Sequence, residues 1–413
     1  MYLLLEIRVV SITLLKINGT SKEICMNKYG VLLIGGRRTH QEMYAKVFNK
    51  HPLTSIVGVS DPIETNSFRK KLSKKLANEY QVPYFDNLNS ALENQNVQIV
   101  SSAPEVEKRG EVALKCIETG KHLYLDKPLC GDIEEAKNIV IAAKKHSVKT
   151  QMFSMVHLPW VKKAKQEITK NSLGKLKALH IENIFSKGKA GTVPKNRIRK
   201  EKTTFEKWTF TEAKREMFDI GVYPITLANW LTKDSAKSVI GITGNYIFKE
   251  HSDVDVEDFG SILIKFESGV NASIIGGRFG WTSHPSSGPQ KIILIGENST
   301  KILDSNNPRI EIYNNQKPFN PPPYNPLDPM GMWKETSKKF FVEPKKTWIP
   351  IDGAQEIAEL DINAFIDCIE KNKLPEIDAQ MGYETLKSII AGYISASKNQ
   401  EIYLSNLTDI LKI

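Results

Sequence analysis

The sequence predicts an α/β protein with a doubly wound parallel sheet, followed by an α+β domain with a large, mainly antiparallel, open-faced sheet. Apolar segments alternate with amphipathic helical segments from residue 30 to about residue 155. Such alternation is typical of parallel strands joined by right-handed helical crossovers. The later β-like segments follow one another without helices between them, which favours antiparallel pairing. The first apolar segment, GVLLIGG, ends in glycines where a helix is expected to follow.

The first half contains five strand segments and four helical segments. Read along the chain, the strand segments are GVLLIGG, SIVGVSD, VQIVSSAP, KHLYLD and KTQMFSM, and the helical segments are HQEMYAKVFNKH, SFRKKLSKKLANEY, EKRGEVALKCIETG and DIEEAKNIVIAAKKH. A continuous apolar run that ends in glycines, such as GVLLIGG, is typical of a parallel strand buried on both faces. We therefore predict a dinucleotide-binding Rossmann domain over 28–155, with residues 1–27 as an N-terminal extension.

The second half has a different order of predicted helices and strands. A helix PWVKKAKQEITKN and a strand KLKALHIENIFS precede a helix predicted over 213–232, and the β-like segments that follow are AKSVIGITGNYIF, VEDFGSILIKFE, GVNASIIGGRFG, QKIILIGE and RIEIYN. The proline-rich 317–329 predicts a surface connection, and two helices close the chain. Residues 156–413 are thus predicted to form a substrate and oligomerisation domain. A long uncovered sheet favours a homodimer or homotetramer.

Composition narrows the class of partner. The formal net charge is +10, but the lysines are spread along helices without interleaved aromatic residues, which favours a solvated surface over nucleic-acid binding. The basic segment 187–202 is predicted to be an exposed loop, with contact to an acidic ligand group as the alternative. Four scattered cysteines and no long apolar segment predict a cytoplasmic protein with reduced thiols and no membrane span.

The glycine turn is a candidate phosphate site. Gly35 and Gly36 stand where a strand passes into a helix, while Arg37 and His40 occupy the other two positions of a G-x-G-x-x-G pattern. Arg37 or Arg38 would then contact phosphate by charge. Asp61 ends the second strand, where a carboxylate accepts a ribose hydroxyl and favours NAD over NADP. The alternatives are a structural turn and a capping aspartate.

Two further motifs are candidates for chemistry. Lys127 lies in YLDKPLCGD, where a buried strand ends and a proline follows. In MFDIGVYPITLANWL, Asp219 and Tyr223 share one face if the segment is a continuous helix. A structural alternative for this second motif is a capping aspartate with a satisfied tyrosine hydroxyl.

The combination of a strand–glycine–helix unit, LDKPL and D-x-x-x-Y resembles the Gfo/Idh/MocA oxidoreductases. The resemblance extends over about 28–405 and includes ETGKHLYLDKPL, VEDFGSILIKFESGVNASI and SIIAGYISASKNQEIYL. It implies that Asp126-Lys127-Pro128 corresponds to the family's E-K-P, and that Asp219 and Tyr223 correspond to its D-x-x-x-H/Y. In SAPEVEK, Lys108 then stands at a family histidine.

The resemblance also implies roles for these residues. Lys127, Tyr223 and Asp219 would be catalytic, and Lys127 would lower the pKa of Tyr223 so that the phenol accepts a proton. Pro104, Asp126 and Lys127 would join Gly35, Gly36, Arg37, Arg38 and Asp61 at the cofactor. His157, Lys214 and Arg215 are candidates for substrate contact, and no metal is expected.

The resulting functional prediction is an NAD-dependent oxidoreductase, with NADP as the second cofactor choice. Its substrate would be a sugar, a polyol or a related hydroxy compound, and the extra cations suggest an acidic or phosphorylated one. Two alternatives are an enzyme that uses NAD transiently, as a glycosidase or epimerase does, and a non-catalytic ligand-sensing regulator.

Overall fold

The structure is a computed structural model. It describes residues 28–171, 173–185, 199–202, 207–208, 210, 213–278, 290–297, 300–304, 306–307, 326, 349–350 and 356–411. The predicted N-terminal extension, the strand RIEIYN, most of the basic loop and nearly all of the proline-rich connection lie outside these residues.

The first sheet is parallel, as predicted, and has six strands rather than the five predicted. Its spatial order is β3-β2-β1-β4-β5-β6, and its strands are β1 Tyr29–Ile34, β2 Thr54–Ser60, β3 Tyr84–Phe85, β4 Ile99–Ser102, β5 His122–Leu125 and β6 Thr150–Met152. The two-residue β3 was not predicted. Ile34, the last residue of β1, pairs with Ser60 and Ser102, the last residues of β2 and β4. The loops after these strands therefore meet at one edge, the place where doubly wound sheets bind ligands.

Helices cover both faces of this sheet. They are α1 Gln41–Lys50, α2 Ser67–Glu79, α3 Leu88–Glu93, α4 Val106–Glu118 and α5 Ile133–His146. Short polar side chains cap several of their first turns: Asn66 accepts from the Arg69 amide, and Asp132 accepts from the Glu135 amide. Such caps satisfy N–H groups that have no partner inside the helix. The six-residue α3 was not predicted.

The second sheet is mixed and mostly antiparallel. Its order is β12-β11-β7-β10-β9-β8-β15, and its strands are β7 Leu176–Phe185, β8 Ala236–Gly244, β9 Phe259–Phe266, β10 Asn271–Arg278, β11 Gln290–Gly296, β12 Thr300–Asp304 and β15 Ile402–Tyr403. Only the β7–β10 pairing is parallel among these described strands. A separate pair consists of β13 Asn306–Asn307 and β14 Ile349–Pro350.

The helices of the second half are α6 Pro159–Thr169, α7 Glu216–Asp219, α8 Val222–Thr232, α9 Lys249–Asp253, α10 Ile357–Glu370, α11 Ala379–Lys398 and α12 Leu407–Leu411, with a short 3-10 turn at Leu404–Asn406. Of these, α6, α7, α8 and α11 pack on one face of the second sheet, whereas α10 packs against α1 of the first domain. The opposite face carries exposed apolar side chains: Ile240, Ile242, Leu263, Ile295 and Ile302.

The predicted helix over 213–232 is wrong as a continuous element. It is broken between α7 and α8 at Ile220 and Gly221. A Cβ on Gly276 of β10 would lie 2.8 Å from the Gly221 Cα, so the break packs directly against the sheet. A close backbone contact thus interrupts a sequence whose apolar content favours a helix.

The last two long helices return to the first domain. The Met152 amide at the end of β6 donates to the Ile377 carbonyl over 2.8 Å, just before α11. The Tyr124 hydroxyl of β5 donates to Asp361 of α10 over 2.7 Å. Because these contacts are buried, the carboxyl edge of the first sheet is held against the second domain.

Within the described residues, no helix has the length and apolar character needed to span a membrane. The same residues contain no cluster of three or more histidine, cysteine, aspartate or glutamate side chains suited to a metal ion.

Candidate active site

Lys127 joins the two domains at the strand edge. Its loop begins where the Asp126 amide donates to the Ser102 carbonyl over 2.9 Å, and the Lys127–Pro128 peptide bond is cis. The side chain is only 3 % exposed, and its Nζ donates to Asp219 Oδ1 over 2.9 Å. The same ammonium lies 4.7 Å from the centre of the Tyr223 ring. The structure therefore brings the three predicted catalytic residues together, although α7 and α8 are separate helices.

Asp219 is surrounded by cations. Its Oδ1 lies 3.3 Å from Lys214 Nζ as well as 2.9 Å from Lys127 Nζ, and its Oδ2 lies 3.3 Å from Arg278 Nη2. Although burial opposes ionisation, these three cations hold the pKa of Asp219 well below its usual range. Asp219 is therefore a permanent carboxylate that anchors the Lys127 ammonium.

The Tyr223 hydroxyl is available for a ligand. Within the described chain it has no hydrogen-bond partner, while the ring packs edge-on against Phe153 and Phe185. Burial, together with the charges of Asp126, Asp219 and Asp361, raises the pKa of Tyr223 well above 10. The prediction that Lys127 would lower this pKa is wrong, because burial and the three carboxylate charges outweigh the nearby positive charge. Tyr223 is thus a protonated phenol at neutral pH.

Lys127 is the better proton acceptor. Its pKa is lowered, first by burial and then by the neighbouring positive charge of Lys214, while Asp219 acts in the opposite direction. A buried lysine near a second cation is more easily deprotonated than one in water. The neutral amine can therefore accept a proton from a bound hydroxyl group.

Asp126 is the centre of a second buried network. Its Oδ1 accepts from the Tyr44 hydroxyl and contacts His40 Nδ1, each over 2.8 Å, and its Oδ2 accepts from Arg109 over 2.6 Å. Arg109 also donates to the Pro104 carbonyl over 3.1 Å and to the Pro128 carbonyl over 2.8 Å. This guanidinium thereby fixes both loops that flank Lys127.

Sequence reasoning missed this network. Lys108, the residue aligned with a family histidine, points outward and lies 3.7 Å from Glu64, whereas the next residue, Arg109, points inward. The helical periodicity of α4 would have shown that Arg109 faces inward, because Val112, Ala113 and Cys116 lie on the same buried side of the helix. His40 and Tyr44 lie one turn apart at the start of α1, a spacing that also favours a shared contact.

The glycine turn fits the pyrophosphate of a dinucleotide. Gly35 has a φ of 93°, and a Cβ there would lie 2.8 Å from the Ala103 carbonyl oxygen. The backbone N–H groups of Gly36 and Thr39 have no partner among the described residues, and they stand before the N-terminus of α1. Unpaired amides beside the positive end of a helix dipole bind anions.

Other predicted cofactor residues are already engaged in protein contacts. Arg37 pairs with Glu42 at 3.3 Å and Glu79 at 2.9 Å, and the Arg38 amide donates to Glu42 over 2.8 Å. Asp61 accepts from the Ser73 hydroxyl over 2.7 Å and from the Tyr84 hydroxyl over 2.9 Å. Burial raises the pKa of Asp61, while these two hydrogen bonds act against that rise.

The three residues predicted for substrate contact lie in different places. Lys214 joins Lys127 at Asp219. His157 Nε2 lies 3.8 Å from Asp361 Oδ1, and burial lowers the pKa of His157 to about 4. Arg215 points away from Asp219 toward Glu201, at 3.2 Å. Among the described side chains, Lys214 is the one of the three that forms an ion pair with a residue predicted to be catalytic.

Two family models match this chain. The model described as "Oxidoreductase family, NAD-binding Rossmann fold" matches residues 29–154, and the GFO/IDH/MocA C-terminal domain matches residues 161–300. Together they cover more than half of the sequence. The protein therefore belongs to the Gfo/Idh/MocA oxidoreductase family, and its first domain is an NAD-binding Rossmann domain.

Individual relatives support the same class. The chain is 27% identical over 258 residues to the glucose-6-phosphate 3-dehydrogenase of Bacillus subtilis (strain 168), covering 60% of this chain and 67% of that protein. It shares the fold of scyllo-inositol dehydrogenase from Lactobacillus casei with bound NAD(H) and scyllo-inositol, at a TM-score of 0.64 and 15% identity over 92% of this chain and 100% of that one. Myo-inositol 2-dehydrogenase from Lactobacillus plantarum gives a TM-score of 0.66 at 17% identity, covering 91% of this chain and 99% of that one.

Proposed function

We propose that this oxidoreductase is an NAD-dependent dehydrogenase of a sugar, a polyol or a related hydroxy compound. The observation that carries the proposal is the buried contact of Lys127 with Asp219 and the Tyr223 ring at the carboxyl edge of the Rossmann sheet. The names of the relatives, which include inositol dehydrogenases and a glucose-6-phosphate 3-dehydrogenase, support this substrate class.

The chain's own residues supply binding and proton transfer. We propose that Gly35, Gly36 and the start of α1 hold the cofactor phosphates, with Arg37 and Arg38 beside them. Asp61 accepts hydrogen bonds from Ser73 and Tyr84, and its remaining lone pairs would accept a hydrogen bond from a ribose hydroxyl. A carboxylate at this position favours NAD over NADP. Bound NAD would supply the hydride acceptor.

The proton follows a separate path. The neutral Lys127 amine takes the proton of the reacting hydroxyl, while the Tyr223 phenol donates a hydrogen bond to the same oxygen. Asp219 keeps Lys127 in position and stabilises its ammonium form after the transfer. In the reverse direction, Lys127 and Tyr223 are both protonated and polarise a carbonyl oxygen.

The direct test combines cofactor titration with a substrate screen. We expect NADH binding to quench tryptophan fluorescence and one or more polyols or aldoses to increase absorbance at the nicotinamide band. Failure to bind NAD(H) would contradict the proposal. Tight retention of cofactor, with turnover but no NADH release, would instead identify a glycosidase or epimerase. Cofactor binding that survives in a Lys127→Met, Tyr223→Phe variant, with an unchanged response to ligand, would identify a sensor.

We also propose a homo-oligomer that works in the cytoplasm. The open face of the second sheet carries Ile240, Leu263 and Ile295 around an apolar depression that includes His180 and Lys265. A second copy that covered this face would remove the apolar surface from water. The described cysteines are free thiols, which is consistent with a reducing compartment. Light scattering would test the proposed homo-oligomer, and cell fractionation would test the cytoplasmic location.

A further inference from the structure

We propose that Lys214 is a specificity residue that recognises an anionic group, a carboxylate or a phosphate, on the substrate. The proposal rests on the dehydrogenase function proposed above and names its substrate class. Lys214 comes from the segment before α7, and its ammonium lies 3.3 Å from Asp219 Oδ1. That oxygen is the one that already accepts from Lys127.

Three cations surround the Asp219 carboxylate. Lys127 and Lys214 both contact its Oδ1, and Arg278 contacts its Oδ2 and also pairs with Glu216. If a ligand anion drew Lys214 away, Asp219 would still be paired with Lys127 and Arg278. Lys214 can therefore change partners without leaving a buried carboxylate unpaired, which would cost free energy.

The cations of this cluster differ in their access to solvent. The side chain of Lys127 is 3 % exposed and that of Arg278 is fully buried, whereas the side chain of Lys214 is 24 % exposed. Lys214 is thus the cation of this cluster that a ligand can reach. Its flexible stem allows the ammonium to leave Asp219 for a ligand anion without moving Lys127.

Lys214 also lies close to the proposed proton acceptor. Because Lys214 and Lys127 bind the same carboxylate oxygen, a substrate whose reacting hydroxyl lies at Lys127 places its neighbouring substituents near Lys214. The anion is therefore expected within a few bonds of the reacting carbon. Hydroxy acids of the sugar series and sugar phosphates both satisfy this condition.

The experiment measures kcat/KM with saturating NAD for three matched compounds: a neutral aldose or polyol, its acid and its phosphate ester. We compare the wild type, Lys214→Met and Lys237→Met. Lys237 lies on β8 and pairs with Glu267, so its removal makes the same charge change far from the site. The acid and phosphate arms separate the two sources of the anion.

We expect the wild type to prefer one anionic compound over the neutral one, and Lys214→Met to reduce that ratio by roughly ten- to a hundredfold, the worth of one charge-assisted hydrogen bond. Lys237→Met should keep the wild-type ratio. An unchanged ratio in Lys214→Met, even with a shifted pH profile, would overturn the inference, as would a wild type that prefers the neutral compound. Absence of NADH binding would instead contradict the proposed function.

Discussion

Two buried charge clusters adjoin α7, and we assign the proposed chemistry to only one of them. The Asp219 cluster contains Lys127, Lys214 and Arg278, and the Tyr223 ring packs on its lysine. The other cluster is centred on Glu257 and contains Glu201, Arg199, Arg215 and Tyr393. Both combine carboxylates, cations and a tyrosine, so composition does not distinguish them.

The difference lies in how the tyrosines are used. The Tyr393 hydroxyl donates to Glu257 and accepts from the Phe218 amide over 3.1 Å, so its hydrogen-bonding capacity is consumed inside the protein. The Tyr223 hydroxyl has no partner within the described chain. In addition, the Asp219 cluster receives its lysine from the other domain, beside the cofactor edge. A buried charge cluster is therefore a candidate active site when it crosses domains and leaves a polar group unused.

The largest expected effect comes from Lys127→Met, which removes the proposed proton acceptor. We expect kcat to fall by roughly 10²–10⁴, the typical contribution of general acid–base catalysis. Lys165→Met is the matched control, because Lys165 is also partly buried, donates to the Leu231 carbonyl over 3.1 Å and lies 4.8 Å from the Trp230 ring centre. Steady-state rates should stay within a few-fold of wild type in the control. Equal losses in both variants would contradict the assignment of Lys127.

The next effect separates the two tyrosines. Tyr223→Phe removes a hydroxyl without an internal partner, so we expect a loss of roughly a hundredfold in kcat with little change in the free energy of unfolding. Tyr393→Phe leaves Glu257 and the Phe218 amide short of a hydrogen bond and should cost about 1–3 kcal/mol of stability with kcat retained. Rates and urea unfolding of both variants test this, and an exchange of the two phenotypes would refute the comparison.

A smaller effect is the pH dependence of oxidation. Lys127 must be neutral to accept a proton, so kcat/KM should rise with pH through the pKa of Lys127, which is lowered from its ordinary 10.5. Reduction should show the opposite slope, because it requires the ammonium form. Initial rates in both directions across pH 6–10, about the span in which a perturbed lysine titrates, test this. A slope that persists in Lys127→Met would assign the titration to another group.

The smallest expected effect is the pH dependence of the stability that the Glu257 cluster contributes. Burial and the charge of Glu201 raise the pKa of Glu257 to about 7. Because the folded pKa is above the unfolded value, the stability contributed by Glu257 is complete below about pH 4.5 and is lost as the pH rises through about 7. Glu257→Gln should flatten this dependence in urea unfolding, whereas Glu359→Gln, at an exposed position on α10, should not. A dependence that survives in Glu257→Gln would contradict the assignment.

The sequence by itself determined the Rossmann domain. Continuous apolar runs such as GVLLIGG, separated by helices, leave parallel pairing as the arrangement that buries both faces, and the structure confirms it. The position of Lys127 at a strand end followed from the same pattern. The family resemblance, confirmed by the two family models, supplied Asp219 and Tyr223 as its companions.

Tertiary structure decided what local pattern does not encode. The break at Gly221 depends on a strand that lies 55 residues later in the chain, at Gly276. Three features depend on the charges and side chains that surround each residue. They are the inward position of Arg109 in place of Lys108, the pairing of Arg215 with Glu201 and the raised pKa of Tyr223. The hydrophobic periodicity of a sequence shows which face of a helix or strand is buried. The partners of a buried charged side chain are decided only when elements distant in the sequence pack together.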